Sequence, residues 1–150
     1  MRLMKIQKSS EDYLETMLIL KETLGYIRSI DIARHLGVTK PSVSYATKNL
    51  RENGYISMDK EGLITLTEKG AEIAERMYHR HKTLTEFLIR LGVDPAVAEE
   101  DACKIEHDLS EESFAAICRH ALAEKAEHYN RNNINRRLTH SRAGVFCANS

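Results

Sequence analysis

The chain has 150 residues, 22 basic and 22 acidic side chains and no formal net charge, and its 42% hydrophobic content is that of a globular protein of one ordinary domain or two small ones. No apolar run approaches the length that crosses a bilayer, and the basic start Met1-Arg2-Leu3-Met4-Lys5 leads into no apolar signal core, so a membrane role is not expected and a cytoplasmic location is. Cys103, Cys118 and Cys147 are an odd set without a Cys-x-x-Cys pair, which argues against a disulfide framework and fits a reducing compartment.

Residues 1–8 carry no clear pattern and are expected to be loose. Ser9 or Ser10 is expected to cap a first helix, with Glu11 and Asp12 in its first turn, where acids suit the helix dipole. Tyr13, Met17, Leu20 and Leu24 follow at helical spacing, flanked by Leu14 and Leu18, and Gly25 ends the run. Asp12 and Glu15, three apart, share a face. Taken alone they read as a dipole-matching acid followed by a solvated one.

A short helix is expected over 29–36, with Ile30, Ile32, Ala33 and Leu36 apolar. Gly37-Val38-Thr39 makes a tight turn, Thr39 caps the next helix and Pro41 occupies its first turn, where a missing N–H costs nothing. That helix runs to about Asn53, buries Val43, Ala46 and Leu50, and stops at Gly54. Two helices joined by a three-residue turn containing Gly make a helix-turn-helix. The outward face of the second shows Lys40, Ser42, Ser44, Tyr45, Thr47 and Lys48, hydroxyls and cations suited to phosphates and base edges. Arg28 and Thr39 flank the same surface. Tyr55-Ile56-Ser57-Met58 and Leu63-Ile64-Thr65-Leu66, joined by Asp59-Lys60-Glu61-Gly62, form a β-hairpin that reads as a wing with Lys60 near its tip.

Thr67 caps a long helix reaching about Leu91, with an apolar stripe of Ile73, Met77, Leu84, Leu88 and Leu91. His81 falls on that stripe, where a half-buried structural histidine is the plain alternative to a ligand. Gly92 ends the helix; Asp94 caps the next and Pro95 opens it. Another helix starts at Ser110, with Glu111 and Glu112 in its first turn and Phe114, Ile117, Cys118 and Leu122 inward. After Lys125 the periodicity fades and the last dozen residues look frayed.

The neutral total hides an asymmetry. Segment 28–53 holds five basic residues against Asp31 and Glu52; segment 94–112 holds eight acids against Lys104; segment 131–142 holds four arginines and no acid. One patch is placed to meet phosphates and another to concentrate cations. Within the acidic segment, Cys103, Glu106 and His107 stand at i, i+3 and i+4, which on a helix is one face offering a thiolate, a carboxylate and an imidazole. With Asp12, Glu15 and His81 they make six donors of mixed O, N and S character. Such a set matches a first-row divalent ion of five or six ligands, not a four-coordinate structural zinc.

The order of winged helix-turn-helix, long helix bearing His81, then Ala102-Cys103-Lys104-Ile105-Glu106-His107-Asp108-Leu109-Ser110 resembles the diphtheria toxin repressor family, as does the run Glu11-Asp12-Tyr13-Leu14-Glu15. The resemblance covers about residues 9–125, and the length is similar to the short two-domain manganese-transport regulators. It implies a mainly α fold. A winged helix-turn-helix with a small β-hairpin wing over 1–71 would precede an all-helical metal-binding and dimerisation domain over 72–150 with a frayed tail. It further implies a cytoplasmic homodimer, not an enzyme, that binds pseudo-palindromic double-stranded operator DNA when loaded with Mn(II) or Fe(II), other divalent first-row metals serving in vitro, and that represses metal uptake. Asp12, Glu15, His81, Glu106 and His107 match ligands of the manganese branch. Cys103 departs from that branch, which has Glu there, and matches the iron-responsive one, whereas Asp12 stands where the iron branch has Met. A second metal is common in the family, and Glu99 is a donor for it, although Thr85 stands where an acid is often found.

From this reading a cation would cross-link the DNA-binding half to the dimerising half. Without it, mutual repulsion of the carboxylates is expected to free the winged domains. With it, two recognition helices are held near one DNA turn apart, about 34 Å. The DNA-binding set is Arg28, Thr39, Lys40, Ser42, Ser44, Tyr45, Lys48 and Lys60. The competing readings are a metal-independent winged-helix regulator sensing a small organic ligand, and a metalloenzyme, which six protein donors leave little open coordination to support.

Overall fold

The structure, a computed structural model, describes residues 7–123, 127 and 131. Residues 1–6, Cys147, the end expected to fray and the basic segment 131–142 apart from Arg131 lie outside them.

Helix α1 (Lys8–Leu24) starts one residue before the serines expected to cap it. Gln7 occupies the cap position and makes no side-chain cap bond. A tertiary anchor holds that first turn instead: Lys8 Nζ donates to Lys104 O at 3.3 Å and lies 3.8 Å from Asp108. Leu14, Met17 and Leu20 are buried, and the helix closes on Gly25, whose positive φ places its N–H on Lys21 O. Helix α2 (Ser29–Leu36), a turn at Gly37 and helix α3 (Lys40–Glu52) form the helix-turn-helix, with Thr39 accepting from Ser42 N and Pro41 in the first turn.

Strands β1 (Ile56–Met58) and β2 (Ile64–Leu66) pair antiparallel, Ile56 with Leu66 and Met58 with Ile64. Asp59 Oδ1 accepts from the backbone N–H of Glu61 and of Leu63, both at 2.9 Å, which folds the tip. Ile64 N donates to Ile27 O, and a bridge between Arg28 and Leu63 fastens the hairpin to the start of α2.

Helix α4 (Glu68–Arg90) is capped by Thr67, whose hydroxyl accepts from Gly70 N and donates to Gly54 O at 2.7 Å. Gly70 is required there, since a Cβ would stand 2.0 Å from Tyr55 O. Ala74 joins Leu14, Met17, Ile27, Ile32, Val43, Leu50, Ile56 and Ile64 in one core, so α4 shares the interior of the winged part. Leu91, expected on the buried stripe, is 62% exposed because it caps the helix end and turns away with the chain. Helix α5 (Pro95–Ile105) is capped by Asp94 and buries Ala98 and Ala102. Helix α4 packs against both α1 and α5.

Residues up to Asp108 form one compact unit. Those from Leu109 form a second, with a helix over 111–123 whose start is capped by Ser110 Oγ accepting from Ser113 N. Phe114 is buried there, but Leu122, expected inward, is 65% exposed. Among the described residues no helix is long and apolar enough to cross a membrane.

Candidate metal centre

Three elements of the first unit deliver the acidic and imidazole side chains to one point. On α1, Asp12 and Glu15 face the same way, and Glu15 is buried among the core residues of that helix. On α4, His81 follows Met77 by one turn and precedes Leu84 by three residues, so it sits on the inward side of the helix. At the end of α5 the chain leaves the helix: Glu106 is the C-cap, its N–H still bonded to Ala102 O, and the residues after it form a turn. Glu106 is completely buried.

That helix end changes the expected geometry. Cys103 lies in the last turn of α5, Glu106 is its C-cap and His107 falls in the turn that follows. They divide into two donor groups: His81, Cys103 and Glu106 in one, Asp12, Glu15, Glu106 and His107 in the other, with the ligand atoms of each group within 4.8 Å of one another. Glu106 belongs to both. Its Oε2 lies 2.9 Å from His81 Nδ1, and its Oε1 3.2 Å from His107 Nε2, which itself lies 2.6 Å from Asp12 Oδ1. Cys103 stays exposed at the rim.

Burial pushes Glu15 up to about 9, reinforced by its hydrogen bond to Glu106 and by that neighbour's charge. Burial also acts to raise Glu106, but bonds from His107, His81 and Glu15 outweigh it and hold this carboxyl at about 2. Burial lowers His107, yet Asp12 and Glu106 win and set it at about 10. The bond to Glu106 raises His81. Burial and the surrounding carboxylates push the Cys103 thiol up to about 11. Near neutral pH, then, Glu15 carries a proton against an ionised Glu106, and a cationic His107 sits between Asp12 and Glu106. Holding Glu15 and His107 toward their protonated forms lessens the repulsion expected among these carboxylates.

The donor set fits a divalent first-row cation. Three carboxylates and an imidazole converge within 4.8 Å of one another, and the buried Glu106 Oε1 has only the His107 ring nitrogen, 3.2 Å away and poorly aligned, to answer its charge among the described residues. The adjoining group adds imidazole and thiol. Glu99, exposed on α5, lines a groove of about 960 Å³ together with His81, Thr85 and Cys103 but enters neither donor group. Thr85 spends its hydroxyl on His81 O at 2.8 Å.

Most of the residues expected to face DNA lie at the surface of the winged part. Thr39, Lys40, Ser42, Ser44, Tyr45 and Lys48 are exposed on α3 and its cap, and Lys60 is exposed at the hairpin turn. Tyr45 is the most open of the exposed large apolar side chains, at 71%. Thr39 and Ser42 hydroxyls bond each other at 2.8 Å, and Lys48 pairs loosely with Glu52. Arg28 stacks over the Tyr26 ring at the base of the wing. Thr47, expected on this face, is buried, its hydroxyl donating back to Val43 O at 2.9 Å.

Two contributors escaped the sequence reading. Arg80 is buried and donates from Nη1 to Glu106 O at 3.0 Å, supporting the turn that carries the ligands. Its place beside His81 was the available signal. Glu11, read only as a first-turn acid, lies with Oε1 3.7 Å from His107 Nδ1.

Residues 5–63 match the family model described as "Iron dependent repressor, N-terminal DNA binding domain", and residues 67–121 match "Iron dependent repressor, metal binding and dimerisation domain". An uncharacterized HTH-type transcriptional regulator of Methanocaldococcus jannaschii is 40% identical over 109 residues, covering 71% of this chain and 87% of its own. The transcriptional regulator MntR of Escherichia coli is 37% identical over 107 residues, covering 71% and 69%. Among solved structures, that of T. acidophilum IdeR aligns with a TM-score of 0.67 at 30% identity over 73% of this chain. A manganese-dependent transcriptional repressor in complex with manganese aligns with 0.69 at 27% identity over 75%. The chain spans about half the length of these two solved proteins, 52% of each.

Proposed function

The chain belongs to the iron-dependent repressor family, and from that premise we propose that it is a metal-dependent transcriptional repressor, binding operator DNA as a homodimer when loaded with Mn(II) or Fe(II). One observation carries the reading: Glu106, buried and fully desolvated, is shared by two donor groups that join α1 to α4 and to the end of α5.

Asp12, Glu15, Glu106 and His107 would hold one cation, and His81 and Cys103 adjoin it through Glu106. Bound there, the ion supplies the positive charge that Glu15 and His107 protons supply in its absence. Glu15 and His107 would hold such an ion in their deprotonated forms, so metal and protons would compete for them. Glu99 stands as a further donor toward a second ion on the groove side. Residues 1–71 are read as the DNA-binding part and 72–150 as the metal-binding and dimerising part. In a dimer, stiffening the seat of α1 sets how far apart two copies of α3 stand, and DNA accepts them near one helical turn, about 34 Å. The effect is a shift of population toward the DNA-competent arrangement. Such a regulator works in the cytoplasm, on metal-uptake genes.

The test is operator binding by His81→Ala and Glu106→Ala proteins in Mn(II). The reading predicts loss of metal-stimulated binding in both. Operator affinity that responds neither to Mn(II) nor to either substitution would favour a metal-independent regulator sensing a small organic ligand in the groove lined by His81 and Tyr78.

A further inference from the structure

His107 presents its two ring nitrogens to different surroundings. Nε2 faces the cluster, 2.6 Å from Asp12 Oδ1 and 3.2 Å from Glu106 Oε1. Nδ1 is buried, has no hydrogen-bond partner among the described residues, and lies 3.7 Å from Glu11 Oε1. The other oxygen of Glu11 lies 3.7 Å from Arg76 Nη2, on α4. The Glu11 side chain is mostly buried between the two, at 12% exposure. Glu11 is therefore a carboxylate held between an arginine and the outer nitrogen of a histidine whose inner nitrogen points at the ligand group.

The chemistry of imidazole gives this arrangement a consequence. A ring that offers a lone pair from Nε2 carries its remaining proton on Nδ1. A buried N–H requires an acceptor. Glu11 Oε1 stands 3.7 Å from it, just beyond the usual N–H···O range. An acceptor there fixes the tautomer, orients the ring and raises the basicity of the liganding nitrogen. The Arg76 contact is half exposed and contributes little energy by itself. Its effect is to hold one carboxylate oxygen so that the other faces the ring.

We propose that Glu11, steadied by Arg76, is a positioning residue that accepts the Nδ1–H of His107 and so presents Nε2 to the bound cation. The proposal rests on the metal-binding reading of the site above. It gives Glu11 and Asp12, adjacent in sequence, different tasks: Asp12 faces the ligand nitrogen, Glu11 the opposite one.

The experiment uses full-length protein labelled with 15N in its histidine rings, loaded with diamagnetic Zn(II). Ring nitrogen spectra identify the His107 tautomer, assigned by its loss in His107→Gln, and a competing chelator measures Zn(II) affinity. In the unmodified protein the His107 Nε2 signal should carry the shift of a metal-bound nitrogen and Nδ1 a slowly exchanging proton. Glu11→Ala should lose that slow exchange and about 10–100-fold in affinity. Glu11→Gln, which keeps an acceptor oxygen, should recover most of both, and Arg76→Gln should fall between. If Glu11→Ala does not fold, the ordering of Glu11→Gln and Arg76→Gln against the unmodified protein decides. A protected Nδ1 proton and unchanged affinity in Glu11→Ala, or equal affinity loss in Glu11→Ala and Glu11→Gln with the proton still protected, overturns the proposal alone. Absence of any metal-bound Nε2 shift in the unmodified protein overturns the site reading and the proposal together.

Discussion

Asp12 Oδ1 and His107 Nε2 meet at 2.6 Å although 95 positions separate them in the chain. The first belongs to the helix that supports the DNA-reading half and the second to the turn after α5, so this contact is where the two parts of the sequence become one site. Both side chains are on the proposed ligand list, and the prediction follows directly. Changing His107 to Ala or Glu106 to Gln should lower Mn(II) affinity by more than about 100-fold, exceeding the loss usual for outer-shell residues. Isothermal calorimetry on the purified variants checks this. Affinity within a few-fold of the unmodified protein would remove these residues from the site.

The protonation pattern predicts opposite pH dependences with and without metal. In the metal-free protein Glu15 is raised from 4.5 to about 9 and His107 from 6.5 to about 10. Groups with raised folded values stabilise below their unfolded values, and that stabilisation is lost as pH rises through the folded ones. Glu106, lowered to about 2, acts in reverse and withdraws its contribution only as pH falls below 4.5. The chelated protein should therefore lose denaturant resistance as pH rises from about 5 to about 9, while Mn(II) affinity climbs over that span because Glu15 and His107 surrender protons more readily. Urea melts with chelator and calorimetry in buffers of different ionisation heat read both trends. A flat metal affinity across the span would show that protons and cation do not compete.

Cys103 is the one thiol beside the proposed ligands, and burial and the nearby carboxylates push it up to about 11. Replacing Cys103 by Glu should shift preference toward Mn(II) and away from Zn(II) and Co(II). The ratio of affinities for the three ions measures it. In Co(II)-loaded protein a thiolate-to-metal charge-transfer band should be present and should vanish in Cys103→Ser.

Much of this architecture was legible in short-range signals. Gly25 and Gly37 sit at positive φ, Thr39, Thr67 and Asp94 cap as their side chains allow, and Pro41 and Pro95 open helices, because each acts within four residues of itself. The side chains that converge in the two donor groups were also named in the sequence, through residue type, spacing and the family resemblance. What local patterns could not carry depends on distant partners. The start of α1 is held by Lys8 reaching Lys104 O rather than by a serine cap. Thr47 turns inward to its own helix backbone. The helix ends at Glu106, so His107 stands in a turn whose position depends on the packing of α5 and not on local spacing. Glu11 acquires its surroundings from α4 and from the turn after α5, so no window of sequence around it shows them.

The exposed cations predict a salt signature. Lys48 on α3 and Lys60 on the wing are exposed and are proposed as phosphate contacts. Lys48→Ala and Lys60→Ala should each weaken operator and non-operator binding alike and reduce the slope of log affinity against log salt by about one per site contacted. Tyr45→Ala, by contrast, should affect operator more than random DNA if its ring meets base edges. Fluorescence anisotropy over a salt series separates the two behaviours.

The central claim is that a cation held between α1 and the α5 turn is coupled to DNA binding. Anisotropy of labelled operator DNA with the full-length protein, in saturating Mn(II) and in excess chelator, tests it most directly. A coupling of about 1–3 kcal/mol, roughly 5–150-fold tighter binding with metal, is predicted, with the same factor appearing in Mn(II) affinity when DNA is present. Equal operator affinity in the two conditions would contradict the account.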